Sequence, residues 1–236
     1  MWTSFVNFLA GVLEYIHSVT NNYGVSIILF TILMRLVLLP LDLKAKASTR
    51  KINQIQPMLK EINEKYKNDP EKRNQKTLEL YQEHKINPFG GCLPMLIQMP
   101  VFFALFAALQ AISNDQIAKN AVESFLWLKN LWAPDSPIKD IMGKAIAFSF
   151  TEGNGYFILP VLAGLTSYYQ IKLTTPSGGD NQMKGFNTVF PLLSVWFCSM
   201  YTAAFAIYWV TANVFQIIQQ AIYNRIYQPV KEGAKK

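Results

Sequence analysis

Arg35 is the residue whose type and position most demand chemistry. It ends an uncharged run from Tyr15 to Met34, and apolar residues resume at once from Leu36 to Leu41. Counted from Gly24 it lies about 17 Å along a helix. A guanidinium at that depth in hydrocarbon costs about 2.5–3.5 kcal/mol or more, and such residues normally face a polar cavity. The plainer alternative is snorkelling past Leu36–Leu41 to the headgroups, about 9 Å further along the helix. Thr31, one turn earlier, shares the face of Arg35. In the last apolar stretch Trp209, Asn213, Gln216 and Gln220 fall at helical spacing on one face. Gln98 adds a polar group to a second stretch, and Ser167, Tyr168 and Gln170 add three to another. Singly, each is best explained as interhelical glue. Several polar stripes around a fixed cation outline a hydrated groove that could receive a carboxylate.

What is missing narrows the chemistry further. The apolar stretches hold neither Asp nor Glu, so the counter-charge of Arg35 would come from a ligand. Proton and sodium coupling generally use intramembrane acids, which disfavours a secondary transporter. There is no HExxH, Walker loop or GxSxG. The histidines, His17 and His84, fall on opposite sides of the first apolar stretch. No catalytic centre, metal site or cofactor is expected, nor a specific nucleic-acid motif, and the chain does not read as an enzyme.

The elements that would position these groups follow from hydropathy. Of the 236 residues 51% are hydrophobic and only 16% charged, against about a quarter charged in soluble domains. Uncharged runs extend over 40 residues from Gly185 to Asn224, 29 from Ile86 to Asn114, and again from Gly153 to Ile171. A bilayer core takes about 20 apolar residues as helix. The longest run would make a helix of about 60 Å, so it must fold back, with a tight turn near Met200 to Ala204. The expected spans are Gly24–Leu41, Leu93–Ser113, Tyr156–Lys172, Asn187–Met200 and Ala203–Tyr223. Between them lie a soluble 42–92 segment, a 114–155 loop and a 173–186 loop, with a basic tail at 224–236.

Cations orient the chain. Residues 1–23 carry no Lys or Arg, whereas 42–92 carry eleven. The 114–155 loop has four cations against five acids. With five spans the basic segment, the 173–186 loop and the tail share one side, so the N-terminus is expected outside and the C-terminus in the cytoplasm. Residues 1–20 lack a basic n-region and a small-residue cleavage site. They form an amphipathic stripe of Trp2, Phe5, Leu9, Val12, Leu13 and Ile16, suited to lying in the membrane interface. The alternative is the first half of a long tilted span. Cys92 and Cys198 would lie at opposite faces, so no internal disulfide is expected.

Within 42–92, Ile52, Ile55, Leu59, Ile62 and Tyr66 repeat at helical spacing. Asn68-Asp69-Pro70 breaks the pattern and caps a second helix, whose anchors are Leu78 and Tyr81. The result is a charged helical hairpin with a thin seam, either a solvated element or a docking arm for a ribosome or other partner.

At this point the residues resemble a known family. "INPFGGCLPMLIQMPVFFALFAAL" at 86–109 is similar to the signature of the YidC/Oxa/Alb membrane-protein insertases. So are "TILMRLVLLPLDLKAKAS" at 31–48, "LWAPDSP" at 131–137, "YFILPVLAGLTSYYQ" at 156–170 and "NVFQIIQQAIYNR" at 213–225. The resemblance runs through nearly the whole chain in order. It implies an all-α integral membrane protein, with five transmembrane helices around a hydrophilic groove open to the cytoplasm and to lipid. The cytoplasmic hairpin and the interfacial N-terminal helix complete it. The implied activity is to move short hydrophilic tails across the membrane and release apolar segments sideways. The family's groove arginine and threonine map onto Arg35 and Thr31, and its aromatic pair onto Tyr208 and Trp209. Met95, Met99, Phe102, Phe106 and Trp196 would guide the client's apolar segment toward lipid, Met adapting to varied sequences. Implied partners are nascent membrane-protein clients, the lipid bilayer, and a ribosome, targeting factor or Sec translocon at the hairpin and tail. A bacterial inner membrane is the implied location.

Two departures stand out. "SMYTAAF" lacks the Pro and Gly of the family's turn between its last two spans, and 138–155 is longer than in relatives. Neither an extra leading span with a periplasmic domain nor a lipid-modified cysteine is present, as expected of a core fragment or processed form. Two other functions remain open on sequence: a channel or carrier, with a path open to both sides, and an assembly scaffold that binds nascent spans without translocating tails.

Overall fold

Asn21 and Asn22 separate the first two helices. Asn21 takes the left-handed backbone conformation (φ 51°) that Asn tolerates well. Asn22 then caps the next helix, its side chain accepting from the Val25 N–H at 3.0 Å. The computed structural model describes residues 2–86, 93–136, 138–139, 147–148, 153–174 and 181–227, with side chains at all of these except 93–97, 138–139, 147–148, 181–184 and 186. Helix α1 is Trp2–Thr20 and α2 is Tyr23–Gln54. Leu9 and Leu13 of the N-terminal stripe are buried where α1 packs on α2 and α5, while Trp2 and Phe5 stay exposed.

At 32 residues, α2 is about 48 Å long, well beyond a hydrocarbon core of about 30 Å. It runs through Pro40 and continues past Leu41 into the basic segment without a break. The interruption comes at Ile55, two residues before Pro57. Proline lacks a backbone N–H and its ring crowds the carbonyl four residues earlier, so it is accommodated in the first turn of α3 (Gln56–Lys65). Asp69 caps α4 (Pro70–Glu83), accepting from the Lys72 N–H at 3.0 Å. The seam between them buries Ile55, Leu59, Leu80 and Ile86. Leu80 is the anchor of α4 and Leu78 points to solvent, because the face that packs is set by the angle at which α4 returns.

Helix α5 is Leu93–Ala118, α6 Ile158–Thr174, α7 Asn181–Met200 and α8 Ala203–Ile226. The expected turn near Met200 is two residues long, Tyr201 and Thr202. Gly164 lets α6 and α7 approach closely, since a Cβ there would lie 2.4 Å from Val195 Cγ2. Helix α6 also packs on α8, and α2 packs on α8. Two two-residue strands, β1 (Ile138–Lys139) and β2 (Ala147–Phe148), pair antiparallel in the long stretch before α6. The molecule is otherwise helical among the described residues.

A polar knot holds that connection to the helix ends. Asp135, fully buried, accepts from the backbone N–H groups of Phe157 (3.1 Å) and Leu159 (2.7 Å) and from Trp127 Nε1 (3.3 Å). Its carboxylate thus caps the start of α6. Asn154 reaches across to the carbonyls of Asn130, Ala133 and Pro134. The carbonyls of Leu131 and Ala133 accept from Ala204 and Ala203, capping α8 with backbone rather than with Thr202.

Among the described residues two helices are long and apolar enough to cross a membrane, α2 and the Gln98–Ala118 part of α5, and Asn187–Met200 is a shorter apolar helix. Large apolar side chains such as Phe8, Val37, Leu192, Trp196, Ile218 and Ile222 are more than half exposed. In water such a surface would be an aggregation hazard; against lipid it costs nothing.

Candidate functional site

Arg35 is 6% exposed in the middle of α2, where α5 and α8 meet it. Its Nη1 donates to Gln98 Oε1 of α5 at 3.1 Å. Tyr208 of α8, equally buried, lies within electrostatic reach of both. No carboxylate among the described residues comes within ion-pairing distance of the guanidinium. A neutral amide therefore orients the charge, and Asp42 acts on it only from beyond ion-pairing distance. Thr31 is buried one turn above, its hydroxyl donating to the Ile27 carbonyl at 2.6 Å.

A second polar set joins α6 to α8. Ser167 Oγ, wholly buried, accepts from Trp209 Nε1 at 3.1 Å and from Asn213 Nδ2 at 2.9 Å. Thr166 Oγ1, which sequence reasoning passed over, also accepts from Asn213, at 3.1 Å. Gln170 and Gln216 hydrogen-bond to each other one turn further along. Tyr208 and Trp209 are adjacent, so about 100° separates them around α8 and they serve different neighbours. Tyr208 faces Arg35; Trp209 faces α6 and packs edge-on against Phe102, with centroids 5.6 Å apart. Tyr168 is not part of either set. It is half exposed beside Tyr169 and under Lys172, a quarter-turn or more from Ser167 on α6. Gln220 hydrogen-bonds to Asn224 on its own helix.

Phe102 and Phe106 sit in an aromatic cluster with Tyr201, Phe205 and Trp209. Met99 and Trp196 are exposed at 42% and 55%, on α5 and α7, free to meet an apolar partner. The side chain of Met95, like Cys92, lies outside the described residues. Cys198 is buried with a free thiol. A pocket of about 70 Å³ lies between α5 and α8 near Gln110, Ser113 and Tyr201, and Arg35 does not line it.

Beyond Arg35 the same face of α2 carries Asp42, Lys46 and Asn53, each with a buried polar atom that has no hydrogen-bond partner. Gln219 of α8 is 8% exposed and has both amide atoms unpartnered. The signal in sequence was available: offsets of seven, eleven and eighteen from Arg35 all return to its face.

This arrangement of helices around a positioned cation defines a class, and the comparisons agree. The chain belongs to the 60Kd inner membrane protein family, whose model matches residues 15–231. Among relatives, a membrane protein insertase YidC of Caldanaerobacter subterraneus is 37% identical over 224 residues, covering 95% of this chain and 96% of that one. A protein of the same name from Clostridium tetani is 37% identical over 241 residues, with 98% and 96% covered. The relative from Syntrophobacter fumaroxidans is also 37% identical, but the match spans only 38% of its length. A crystal structure titled as an active YidC insertase with its first transmembrane domain resolved superposes with a TM-score of 0.65 at 26% identity, covering 98% of this chain and 47% of that one.

Proposed function

We propose that the chain is a membrane-protein insertase of the inner membrane. It crosses the bilayer five times, with the N-terminus outside and the C-terminus in the cytoplasm, and α1 lies in the outer interface. Arg35, Thr31, Gln98 and Tyr208 line a hydrated groove entered from the cytoplasm. Ser167, Gln170, Trp209, Asn213 and Gln216 form its far wall, and Tyr168 lies at its lipid-facing rim. A short hydrophilic tail enters the groove while Met95, Met99, Phe102, Phe106 and Trp196 pass the adjoining apolar segment to lipid. The hairpin of α3 and α4 and the basic tail receive clients from a ribosome, targeting factor or Sec translocon.

The observation that carries this reading is Arg35, buried in an apolar helix with a neutral partner and no carboxylate at ion-pairing distance. A tail crossing bare hydrocarbon loses water around every polar group and bears a large cost for each charge. An indentation lined by polar groups shortens the dry path, and a fixed cation draws an entering carboxylate inward. The test is insertion of a single-span client with a translocated N-tail into vesicles that contain this protein alone. Protease protection of the tail supports the reading, and a tail that stays accessible on the donor side rejects it.

A further inference from the structure

Four side chains with unpartnered polar atoms lie along the seam beyond Arg35. On α2 they are Asp42 (Oδ2), Lys46 (Nζ) and Asn53 (Oδ1), and on α8 both amide atoms of Gln219. Buried polar atoms are nearly always hydrogen-bonded, so several unpaired ones along one seam mark a place filled by something else. Contacts between α2 and α8 set the register. Lys46 Nζ lies 5.9 Å from the Tyr223 ring centroid and Arg50 lies 5.4 Å from that of Tyr227. The two helices therefore run parallel, and one turn back from the Lys46–Tyr223 level Asp42 comes level with Gln219. Asp42 and Lys46, one turn apart, feel each other's charge and that of Arg35, but they are not within ion-pairing distance and neither polar end has a hydrogen-bond partner.

The mixture of groups narrows what, other than water, can fill the seam. Asp42 opposes a bare phosphate or other anion, and Lys46 opposes a metal cation. An amide with donor and acceptor both open fits neither alone. A polypeptide fits all of them, because it brings N–H, C=O and side chains of both signs. Seven residues of helix separate Arg35 from Asp42, about 10 Å. Three residues of extended chain cover about the same distance.

We infer that this seam continues the groove and reads the sign of charge along the tail. Asp42 seats a basic residue of the client three positions after the acidic residue that Arg35 seats, for a tail entering N-terminus first. Gln219 holds the intervening backbone. This rests on the groove proposed above, and it makes Asp42 a specificity-determining residue.

The experiment uses the full chain in vesicles and three single-span clients. Their tails carry one Asp, Asp followed three positions later by Lys, or the same pair in reverse order. The unaltered protein should insert the Asp-then-Lys tail at least threefold better than the reversed one. Asp42→Asn should abolish that preference and at the same time raise insertion of the tail with Asp alone, since a repelling charge is gone. Asp42→Glu should keep the preference. A purely structural role would instead depress all three clients in parallel, and that result, or an order preference that survives Asp42→Asn, overturns the inference. Arg35→Ala is measured alongside. If acidic tails insert equally well without Arg35, the groove itself fails and this inference with it. If they insert worse and the order preference ignores Asp42, only this inference fails.

Discussion

Arg35 donates to Gln98, a neutral acceptor, and feels Asp42 only from beyond ion-pairing distance, so its charge is aimed without being paired. At an effective dielectric of about 20, a pair of charges at 4 Å interacts by about 4 kcal/mol before desolvation and screening are subtracted. A quarter of that, about 1 kcal/mol, is still about a fivefold bias in occupancy. Arg35→Lys should therefore keep much of the insertion activity, because the charge survives even though the fork to Gln98 changes. Arg35→Ala should lower insertion of acidic-tailed clients several-fold and leave uncharged tails less affected, and Arg35→Glu should be worse for acidic tails. Protease protection at matched protein levels decides it; equal losses for acidic and uncharged tails would reject an electrostatic role. Asp135 makes a separate prediction, about stability. Its carboxylate satisfies three donors, the Leu159 N–H buried and those of Trp127 and Phe157 partly buried, and leaving a buried donor unpaired costs about 1–3 kcal/mol. Asp135→Ala should lower the thermal unfolding midpoint in detergent by more than Asp69→Ala, whose cap on α4 is exposed. Comparable shifts for the two would mean that the knot does not hold α6 in place.

At the scale of elements, the close approach of α6 and α7 at Gly164 sets a sharp test. A methyl group there would meet Val195 Cγ2 at 2.4 Å and the Pro191 carbonyl at 3.3 Å, and a short branched side chain and a backbone atom have little room to give. Gly164→Ala should reduce thermal stability, whereas Gly185→Ala on α7, with nothing within 4 Å, should be neutral or slightly stabilising through helix propensity. The reverse order would show that the two helices are loosely packed. The hairpin is the opposite case: its seam is four buried side chains, and the main cluster lies elsewhere. Deleting Lys51–Lys85 should leave the rest folded and accumulating, while handover of clients from ribosomes falls. Loss of the protein itself would make the hairpin structural. These contrasts also show what a sequence can reveal. Helix ends were legible wherever local chemistry makes them, as at Asn22, at Asp69 and at the turn after Met200. Arg35 was legible because a cation in an apolar run has few explanations. What periodicity could not supply was the partner across a contact. Leu78 and Leu80 sit on one helix, and only the return angle of α4 decides which is buried. Asp135, Asn130 and Asn154 belong to a loop in which nothing local announces that they converge. Asp42 lies one residue past the apolar stretch, so hydropathy alone assigns it to the soluble segment although its helix runs on without a break.

For the whole molecule the governing quantities are charge asymmetry and apolar surface. On the proposed reading the drive for insertion comes from burying the client's own span, at about 0.8 kcal/mol per CH₂. On that reading the protein's task is to lower the barrier for the polar tail. That works in one direction only if the groove opens to the side where clients are made, and the formal net charge of +7 bears on which side that is. Its cations concentrate in 42–92 and after Tyr223, whereas residues 1–23 have none. A juxtamembrane cation gains about 1 kcal/mol near an anionic cytoplasmic leaflet, and Lys and Arg in short loops resist translocation. The asymmetry therefore predicts α3, α4 and the end of α8 on the cytoplasmic side, and the loop after α5 outside. Single cysteines test this in a chain carrying Cys92→Ser and Cys198→Ala. Lys67→Cys, between α3 and α4, should react with a membrane-impermeant maleimide only in inverted vesicles. Val122→Cys, 73% exposed after α5, should react only in intact cells with a permeable outer envelope. Labelling of both from the same side would mean that α5 does not cross the bilayer between them, and the proposed five-span arrangement would fall.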